Sequence, residues 1–235
     1  MDYYYEYQWD GSYCYPDSNV LINKMGITNA EDLHCAERDI TSLNISMIKA
    51  KPITGCFDLA HLKLIHKSIF SDVYPWAGQL RIVDISKGNI FCMSQHLEMY
   101  AESIFSKLKK EQYLINTDES DIVQRLSFYL SEINVLHPFR EGNGRTQRVF
   151  IEYLAAVAGY HVDFSSVSPD QMIKASAEAF ARQYDLMNNM FSEIISPISI
   201  EEQQQYVDIF SEKCPQIKEI YDTSFGAAMG VSLQL

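Results

Sequence analysis

The segment of residues 137–148 most constrains how this chain can fold. It reads His-Pro-Phe-Arg-Glu-Gly-Asn-Gly-Arg-Thr-Gln-Arg. Pro138 disfavours a helical conformation at His137, so a helix that precedes the segment should end there. The Gly-Asn-Gly run at 142–144 is unfavourable inside a helix, whereas the residues that follow repeat apolar side chains at helical spacing. The segment is therefore predicted to be a tight loop that leads into the N-terminus of a helix.

Helical periodicity dominates the rest of the chain, and only one segment departs from it. In residues 78–92, Leu80 and Ile82 alternate with Arg81 and Val83, and the pattern breaks around Gly88-Asn89, which predicts a β-hairpin. No other strand is expected, so the fold class is mainly α with one β-hairpin. Helices are predicted over residues 31–50, 58–71, 97–112, 121–136, 144–158, 169–180, 183–195 and 201–214.

The chain divides into three parts by composition. Residues 1–30 form an aromatic N-terminal arm that contains Trp9 and a cluster of tyrosines. We expect this arm to pack on the domain rather than to act as a recognition surface. Residues 31–198 form the domain, and residues 199–235 form a C-terminal helical extension and tail.

Charge and cysteine content exclude several classes of function. With 19 Lys and Arg against 31 Asp and Glu, the net charge of −12 disfavours non-specific binding to nucleic acid or to anionic membranes. The five cysteines include no CxxC pair, which predicts reduced thiols. The acidic N-terminus is unlike a signal peptide, and no uncharged stretch approaches the roughly 20 residues of a membrane span. We therefore expect a cytoplasmic protein.

The residue types of segment 137–148 point to phosphate chemistry. The unpaired N–H groups of a first helical turn bind anions, and Arg145 and Arg148, three residues apart, share one face of that turn. Glu141 would repel a phosphate unless a Mg²⁺ ion lay between them. His137 is placed to act as a general base towards an attacking hydroxyl. These parts predict an in-line displacement at phosphorus with pyrophosphate as the leaving group, and Phe139 is assigned to packing of the loop.

The same segment resembles the signature of Fic-domain proteins, His-x-Phe-x-(Asp/Glu)-Gly-Asn-Gly-Arg-x-x-Arg, without a departure. Around it, YPWAGQLRIVDISKG is similar to the family's hairpin and its lead-in, and YCYPDSNVLINKMGI with SEINVLHPFREGNGR resembles the short branch called cell filamentation proteins. The resemblance covers about residues 12–195. It implies a compact helical Fic fold with one β-hairpin, and transfer of AMP from ATP to a Ser, Thr or Tyr hydroxyl of another protein with Mg²⁺.

The resemblance also implies a role for each residue of the site. Doc-type relatives, which phosphorylate their targets, carry Lys where this chain has Gly144, so AMP transfer is favoured, while transfer of UMP or phosphocholine stays open. The segment Ile85–Gly88, called the flap below, would bind the target by strand-like pairing, and the adenine would lie near Met172–Phe180. The implied roles are His137 as general base, Glu141 as metal ligand, Gly142, Asn143 and Gly144 as anion hole, Arg145 and Arg148 as contacts to the outer phosphates, Phe139 as a packing residue, and Ile85, Ser86, Lys87 and Gly88 as flap residues, of which Lys87 and Gly88 are also candidate nucleotide contacts.

Regulation is inferred from an absent motif. Many Fic proteins carry an inhibitory helix with (Ser/Thr)-x-x-x-Glu-(Gly/Asn), whose Glu pairs with the arginine equivalent to Arg148. In this sequence Glu is followed by Gly or Asn only at Glu141-Gly142, inside the loop itself. We therefore expect a toxin that is inhibited by a small antitoxin supplying the Glu, with type II topoisomerase subunits (DNA gyrase or topoisomerase IV) as targets. A degenerate internal helix within Glu201–Glu219 and a Fic-like module that only binds nucleotide are the alternatives.

Overall fold

The computed structural model of the chain describes residues 11–87 and 89–232. Gly88, Trp9 and the tyrosines at positions 3, 4, 5 and 7 therefore lie outside the described residues. The elements are α1 (Ala30–Ala50), α2 (Leu59–Phe70), β1 (Ser86–Lys87), β2 (Asn89–Ile90), α3 (Leu97–Lys110), α4 (Glu119–Leu136), α5 (Asn143–Ala158), β3 (Tyr160–Val162), α6 (Pro169–Phe180), α7 (Asp185–Ile194), β4 (Ile195–Pro197), α8 (Ile200–Ser211) and α9 (Pro215–Ser232), with short 3-10 turns at Ser94–His96, Gln112–Leu114 and Phe164–Ser166.

Helix α5 lies at the centre of the molecule. It packs against α2, α4, α8 and β3, and Val149, Phe150 and Ile151, which point in directions about 100° apart, are all buried. A helix that is apolar around most of its circumference is one that other elements surround. The mainly α fold class is confirmed, and the helix that begins the phosphate-type loop is also the helix on which the core is built.

Side-chain caps fix where several helices begin. Asn29 accepts from the N–H groups of Glu31 and Asp32 at the start of α1, and Asp58 accepts from His61 N–H at 2.7 Å at the start of α2. Ser168 caps α6, whose first residue is a proline. Each such cap stabilises a helix by about 1 kcal/mol.

The predicted hairpin is shorter than the alternating pattern suggested. Strand pairing is confined to Ser86 opposite Ile90 and Lys87 opposite Asn89. Residues 80–83 form no strand, and the expected faces are reversed, because Arg81 is buried while Ile82 is 70% exposed. The physical reason is that main-chain carbonyl groups in this region accept hydrogen bonds from the Arg81 side chain instead of from a partner strand.

A second small sheet corrects the expectation of a single β element. Strands β3 and β4 pair antiparallel, with Val162 opposite Ile195. The sheet follows directly on Gly159, which ends α5 at φ +98°. Strands of three residues are too short to show a period of two, so the sequence pattern contained no signal for them.

The C-terminal extension packs into the core. Helix α8 lies on α5, and Val207, Phe210 and Ile217 are fully buried. The ring centroid of Phe210 is 5.0 Å from that of Phe57, which precedes α2. At the other end, Tyr13 is 6% exposed and its ring stands edge-on to Trp76 at 5.6 Å. None of the helices in the described part of the chain combines the length and apolar character of a membrane span.

Candidate active site

His137 stands at the C-terminal end of α4 in a left-handed conformation. Its backbone angles are φ 44° and ψ 59°, a region that residues with a Cβ adopt at a cost of about 1 kcal/mol. Its Nδ1 lies 3.2 Å from the carbonyl oxygen of Asn134. Because a carbonyl oxygen only accepts, Nδ1 carries the ring proton and Nε2 carries the lone pair that a general base needs.

The loop after His137 is pinned by Asn143. Its Oδ1 accepts from the N–H of Phe139 at 2.9 Å, and its Nδ2 donates to the carbonyl oxygen of Phe139 at 2.8 Å. The Asn143 side chain is therefore used inside the loop, and an anion at this position would meet its main-chain N–H. Phe139 is itself 1% exposed, with its ring in the core.

Gly142 is required by two independent constraints. Its φ is +83°, and a Cβ there would lie 2.2 Å from a ring carbon of Phe70. The close contact of the backbone with Phe70 places the turn directly on α2. Any side chain at this position would push the loop away from its support.

His66 supports the loop from below. Its Nδ1 accepts from Gly78 N–H at 2.8 Å, so Nε2 carries the proton and donates to the carbonyl oxygen of Glu141 at 3.0 Å. The ring of Phe139 stacks on it with centroids 3.9 Å apart. Burial lowers the pKa of His66 to about 4, so it is neutral at physiological pH. The two histidines of α2, His61 and His66, hold different main-chain groups and share no site.

The first turn of α5 presents main-chain donors. The first intrahelical bond runs from Thr146 N–H to the Gly142 carbonyl at 3.2 Å, so the N–H groups of Asn143, Gly144 and Arg145 precede the helical hydrogen-bond ladder. The positive end of the helix dipole adds to their attraction for an anion. This is the arrangement expected of a phosphate site.

Arg148 folds back over this turn. A Cβ on Gly144 would lie 3.4 Å from its guanidinium nitrogen. Among the described residues, Arg148 has no carboxylate within 4 Å. Burial and the neighbouring Arg145 lower the pKa of Arg148, so an anion next to it would gain a partly desolvated cation.

Arg145 points elsewhere. Its guanidinium donates to Glu37 of α1 at 2.5 Å and to the Thr41 hydroxyl at 3.0 Å, and it lies 4.7 Å above the ring of Phe70. Glu37 also accepts a hydrogen bond from the Tyr74 hydroxyl. The two motif arginines are thus directed differently, with Arg145 towards α1 and Arg148 over the first turn of α5.

Glu141 is the acidic group of the site. Its Oε1 accepts from Gly142 N–H at 2.8 Å and lies 3.6 Å from Arg145. Burial and the nearby Glu37 raise the pKa of its carboxyl group. The described residues contain no cluster of three His, Cys, Asp or Glu side chains around a metal position. One carboxylate does fit Mg²⁺, which proteins commonly hold through one or two carboxylates together with substrate phosphates.

The flap lies next to the general base. Ile85 is 3% exposed, Ser86 is partly buried, and Phe91 N–H donates to the Ile85 carbonyl at 3.3 Å. The ring of Phe91 stacks on His137 with centroids 3.8 Å apart, and it meets the edge of Phe180 at 6.4 Å. The C-terminal end of α6, proposed to line the adenine site, therefore borders His137 through Phe91. The predicted roles of Gly88 and of the Lys87 side chain lie outside the described part of the chain and stay predictions.

Arg81 and Glu37 were not identified from the sequence. The alternating pattern predicts Arg81 to be a strand residue, yet its side chain donates to the carbonyl oxygen of His137 at 2.8 Å. Glu37 is 7% exposed on the buried face of α1, where it aligns with Thr41 and Asn44. Glu37 could have been identified from the sequence, because it is a polar residue on the buried face of a helix. No feature of the sequence indicated that the side chain of Arg81 would contact His137.

Comparisons with known proteins agree on one family. A sequence profile described as the Fic/DOC family matches residues 56–155. The chain is 39% identical over 197 residues to a protein adenylyltransferase, VbhT, from Bartonella schoenbuchensis, of which it spans 41%. It is also 34% identical over 185 residues to a probable protein adenylyltransferase, Fic, from Escherichia coli. That match covers 78% of this chain and 92% of the Escherichia coli protein.

Two crystal structures extend the likeness to the fold. The Fic domain of a cell filamentation protein from Bartonella quintana with bound ADP is 28% identical, with a TM-score of 0.78, and the match covers 82% of this chain and 98% of that one. BepC from Bartonella tribocorum with bound AMPPNP is 25% identical, with a TM-score of 0.76, over 80% of this chain and 98% of that one.

Proposed function

Because this chain belongs to the Fic/DOC family, we propose that it is a protein adenylyltransferase that transfers AMP from ATP to a Ser, Thr or Tyr hydroxyl of another protein. The observation that carries the proposal is the placement of His137 and the first turn of α5 at the two ends of one pinned loop. Relatives named adenylyltransferases, and related structures with ADP and AMPPNP, support ATP as the co-substrate.

The geometry accounts for each step of such a transfer. Nε2 of His137 takes the proton from the target hydroxyl, and the resulting oxygen attacks the α-phosphorus of ATP. The bond between the α-phosphorus and its bridging oxygen breaks, and pyrophosphate leaves. The N–H groups of the first turn of α5 and the guanidinium of Arg148 stabilise the charge that develops on the phosphates. When bound, Mg²⁺ neutralises phosphate oxygens, and Glu141 would hold it.

The small residue at position 144 favours AMP as the transferred group. An added Cβ at Gly144 would lie 3.4 Å from the guanidinium of Arg148, so a longer side chain there would compete for space with a polyphosphate that lies across the turn. The phosphorylating Doc-type relatives carry a lysine at this position. We assign AMP transfer rather than phosphate transfer to this chain for that reason.

Labelled nucleotides test the activity directly. The purified chain is incubated with α-labelled or γ-labelled ATP, Mg²⁺ and a bacterial lysate, next to His137→Ala and the exposed-surface control His34→Ala. We expect protein to take up label from the α position only, with wild type and His34→Ala but not with His137→Ala. Label from the γ position would contradict AMP transfer. If label is taken up only from UTP or CDP-choline, that compound and not ATP is the donor. If the chain binds nucleotide but transfers no label, it is a module that only binds nucleotide.

We also propose that the enzyme is a toxin restrained by a small antitoxin, with subunits of a type II topoisomerase as targets. Arg148 supports the first part, because the described residues place no carboxylate within 4 Å of it. The carboxylates of Glu201–Glu219, the segment of the alternative internal inhibitory helix, are among those residues. An antitoxin Glu paired with Arg148 would occupy the position of the outermost phosphate.

The antitoxin proposal is tested by sequencing the DNA next to the gene of this chain and co-expressing the chain with any small protein that is encoded there. We expect a stable complex in which AMP transfer to purified gyrase or topoisomerase IV is suppressed, and recovery of transfer when the partner's inhibitory Glu is replaced by Gly. A chain that is inactive alone, or fully active within the complex, would contradict inhibition by a partner. If neither topoisomerase is labelled, only the assignment of these targets is wrong.

A further inference from the structure

The carbonyl group of His137 is held by a residue outside the catalytic loop. His137 has φ 44°, and its carbonyl oxygen accepts from Nε of Arg81 at 2.8 Å. The main-chain N–H of Arg81 donates to the carbonyl of the next residue, Pro138, at 2.9 Å. Two consecutive peptide groups at the general base are therefore fixed by the same arginine.

The same guanidinium binds both chain segments that flank the flap. Its other two nitrogens donate to the carbonyl oxygen of Val83 at 2.7 Å and to that of Cys92. Val83 precedes the flap, and Cys92 follows strand β2, which pairs with the flap strand β1. Arg81 is 2% exposed, and its nearest carboxylate, Asp84, is 3.8 Å away, so its donors serve carbonyl oxygens rather than a close ion pair.

Two further contacts run between the same partners. Cys92 N–H donates to the Val135 carbonyl at 2.9 Å, and the Phe91 ring stacks on the His137 imidazole. Each of these links between the hairpin region and the end of α4 ends at His137 or within two residues of it.

We propose that Arg81 is a positioning residue that joins the flap to the general base, so that a target segment bound along the flap aligns Nε2 of His137 with its own hydroxyl. This inference rests on the proposed AMP transfer. It assigns to Arg81 no contact with ATP or with the reacting atoms. A left-handed residue needs surrounding contacts to persist, and Arg81 supplies one to the His137 carbonyl while its guanidinium also binds the carbonyls of Val83 and Cys92.

Substitution of Arg81 should separate catalysis from nucleotide binding. In Arg81→Lys, one ammonium cannot reach three carbonyls. We expect kcat for AMP transfer to fall at least ~10-fold, because misplacement of a reacting group by about 1 Å reduces rates up to ~100-fold. The dissociation constant for AMPPNP should stay within about twofold of wild type. Equal losses in kcat and nucleotide affinity, or an unchanged kcat, would overturn the proposal.

Chemical rescue provides a readout that general destabilisation would not move. Arg81→Ala leaves a space of guanidinium shape lined by carbonyl oxygens, so added guanidinium at millimolar concentration should restore transfer with saturation. The control Arg125→Ala, at a partly exposed ion pair with Glu111, should need no rescue, and His137→Ala should show none. If folded Arg81→Ala is not rescued while Arg81→Lys is fully active, the assignment is wrong.

An NMR experiment tests the role of Arg81 independently of AMP transfer. The imidazole resonances of His137, identified by their loss in His137→Ala, are followed against pH by NMR in wild type and Arg81→Lys. We expect changed chemical shifts for the His137 imidazole and unchanged ones for that of His66. Wild type without transfer would defeat the proposed function alone, whereas an unchanged His137 signal would defeat the role of Arg81.

Discussion

Arg145 of the catalytic loop and Glu37 of α1 form an ion pair of 2.5 Å, so a helix more than a hundred residues away in sequence holds one of the two motif arginines. Glu141 lies 3.6 Å from the same guanidinium. The two carboxylates therefore share one cation, and the stronger contact belongs to the one outside the motif. Glu37 thereby limits the hold of Arg145 on Glu141.

Glu37→Gln should weaken both the fold and the metal site. We expect the free energy of unfolding to fall by about 1–3 kcal/mol, less than for a fully orphaned buried charge because Glu141 remains as a partner. Arg145 should then pair more closely with Glu141, which raises the Mn²⁺ concentration required for half-saturation in calorimetry with AMPPNP. Urea unfolding measures the first effect, and the exposed Glu102→Gln is the matched control. Unchanged stability and metal affinity would show that the pair contributes nothing.

Gly142→Ala should be much more harmful than an alanine at another left-handed glycine. Gly26 has φ +70° and nothing within 4 Å of an added Cβ, so Gly26→Ala should cost about 1 kcal/mol from backbone conformation alone. Gly142→Ala adds the overlap with Phe70, a further ~1–3 kcal/mol, and should abolish transfer. Thermal unfolding and transfer assays of both variants check this. Equal stability of the two would mean that the contact with Phe70 is not limiting.

Asn143→Asp should disturb the loop although the two side chains have the same shape. The carboxylate keeps the bond from Phe139 N–H but places an oxygen against the Phe139 carbonyl, where the amide donates at 2.8 Å. We expect a loss of about 1–3 kcal/mol and a fall in kcat, measured by urea unfolding and AMP transfer. The exposed Asn189→Asp should change neither. Wild-type behaviour of Asn143→Asp would contradict the clamp.

The stability of the fold should decrease as the pH falls from about 6.5 towards 4. Burial lowers the pKa of both His61 and His66 to about 4, whereas the unfolded chain binds their protons near pH 6.5. The unfolded state therefore gains protons first, and each histidine contributes a slope of up to ~1.4 kcal/mol per pH unit in this window. The raised pKa values of Glu141 and Glu152 act in the opposite direction.

A substitution isolates the share of one histidine in this pH dependence. His66→Gln can accept from Gly78 and donate to the Glu141 carbonyl without titrating. We expect its unfolding free energy to vary less steeply between pH 6.5 and 5 than that of wild type, by urea titration at each pH. A slope identical to that of wild type would show that His66 is not neutral by burial.

The sequence predicted those features that depend on neighbours along the chain. Pro138 ends α4, the Gly-Asn-Gly run precedes α5, and Ser168 with Pro169 begins α6, because each acts through its own backbone. Features that depend on distant partners were not predictable. The side chain of Arg81 donates to main-chain carbonyls of three segments, and residues 80–83 therefore form a loop although their sequence alternates as in a strand.

Helix α5 begins at the phosphate-type turn and continues through the middle of the apolar core. The same helix therefore forms the proposed phosphate site at its first turn and a large part of the apolar core along its length. A nucleotide that binds the native chain but not the unfolded chain adds RT ln(1 + [L]/Kd) to its stability. In a cell rich in ATP, bound nucleotide would raise the free energy of unfolding of the protein and so lower the fraction of unfolded chains that proteases can degrade.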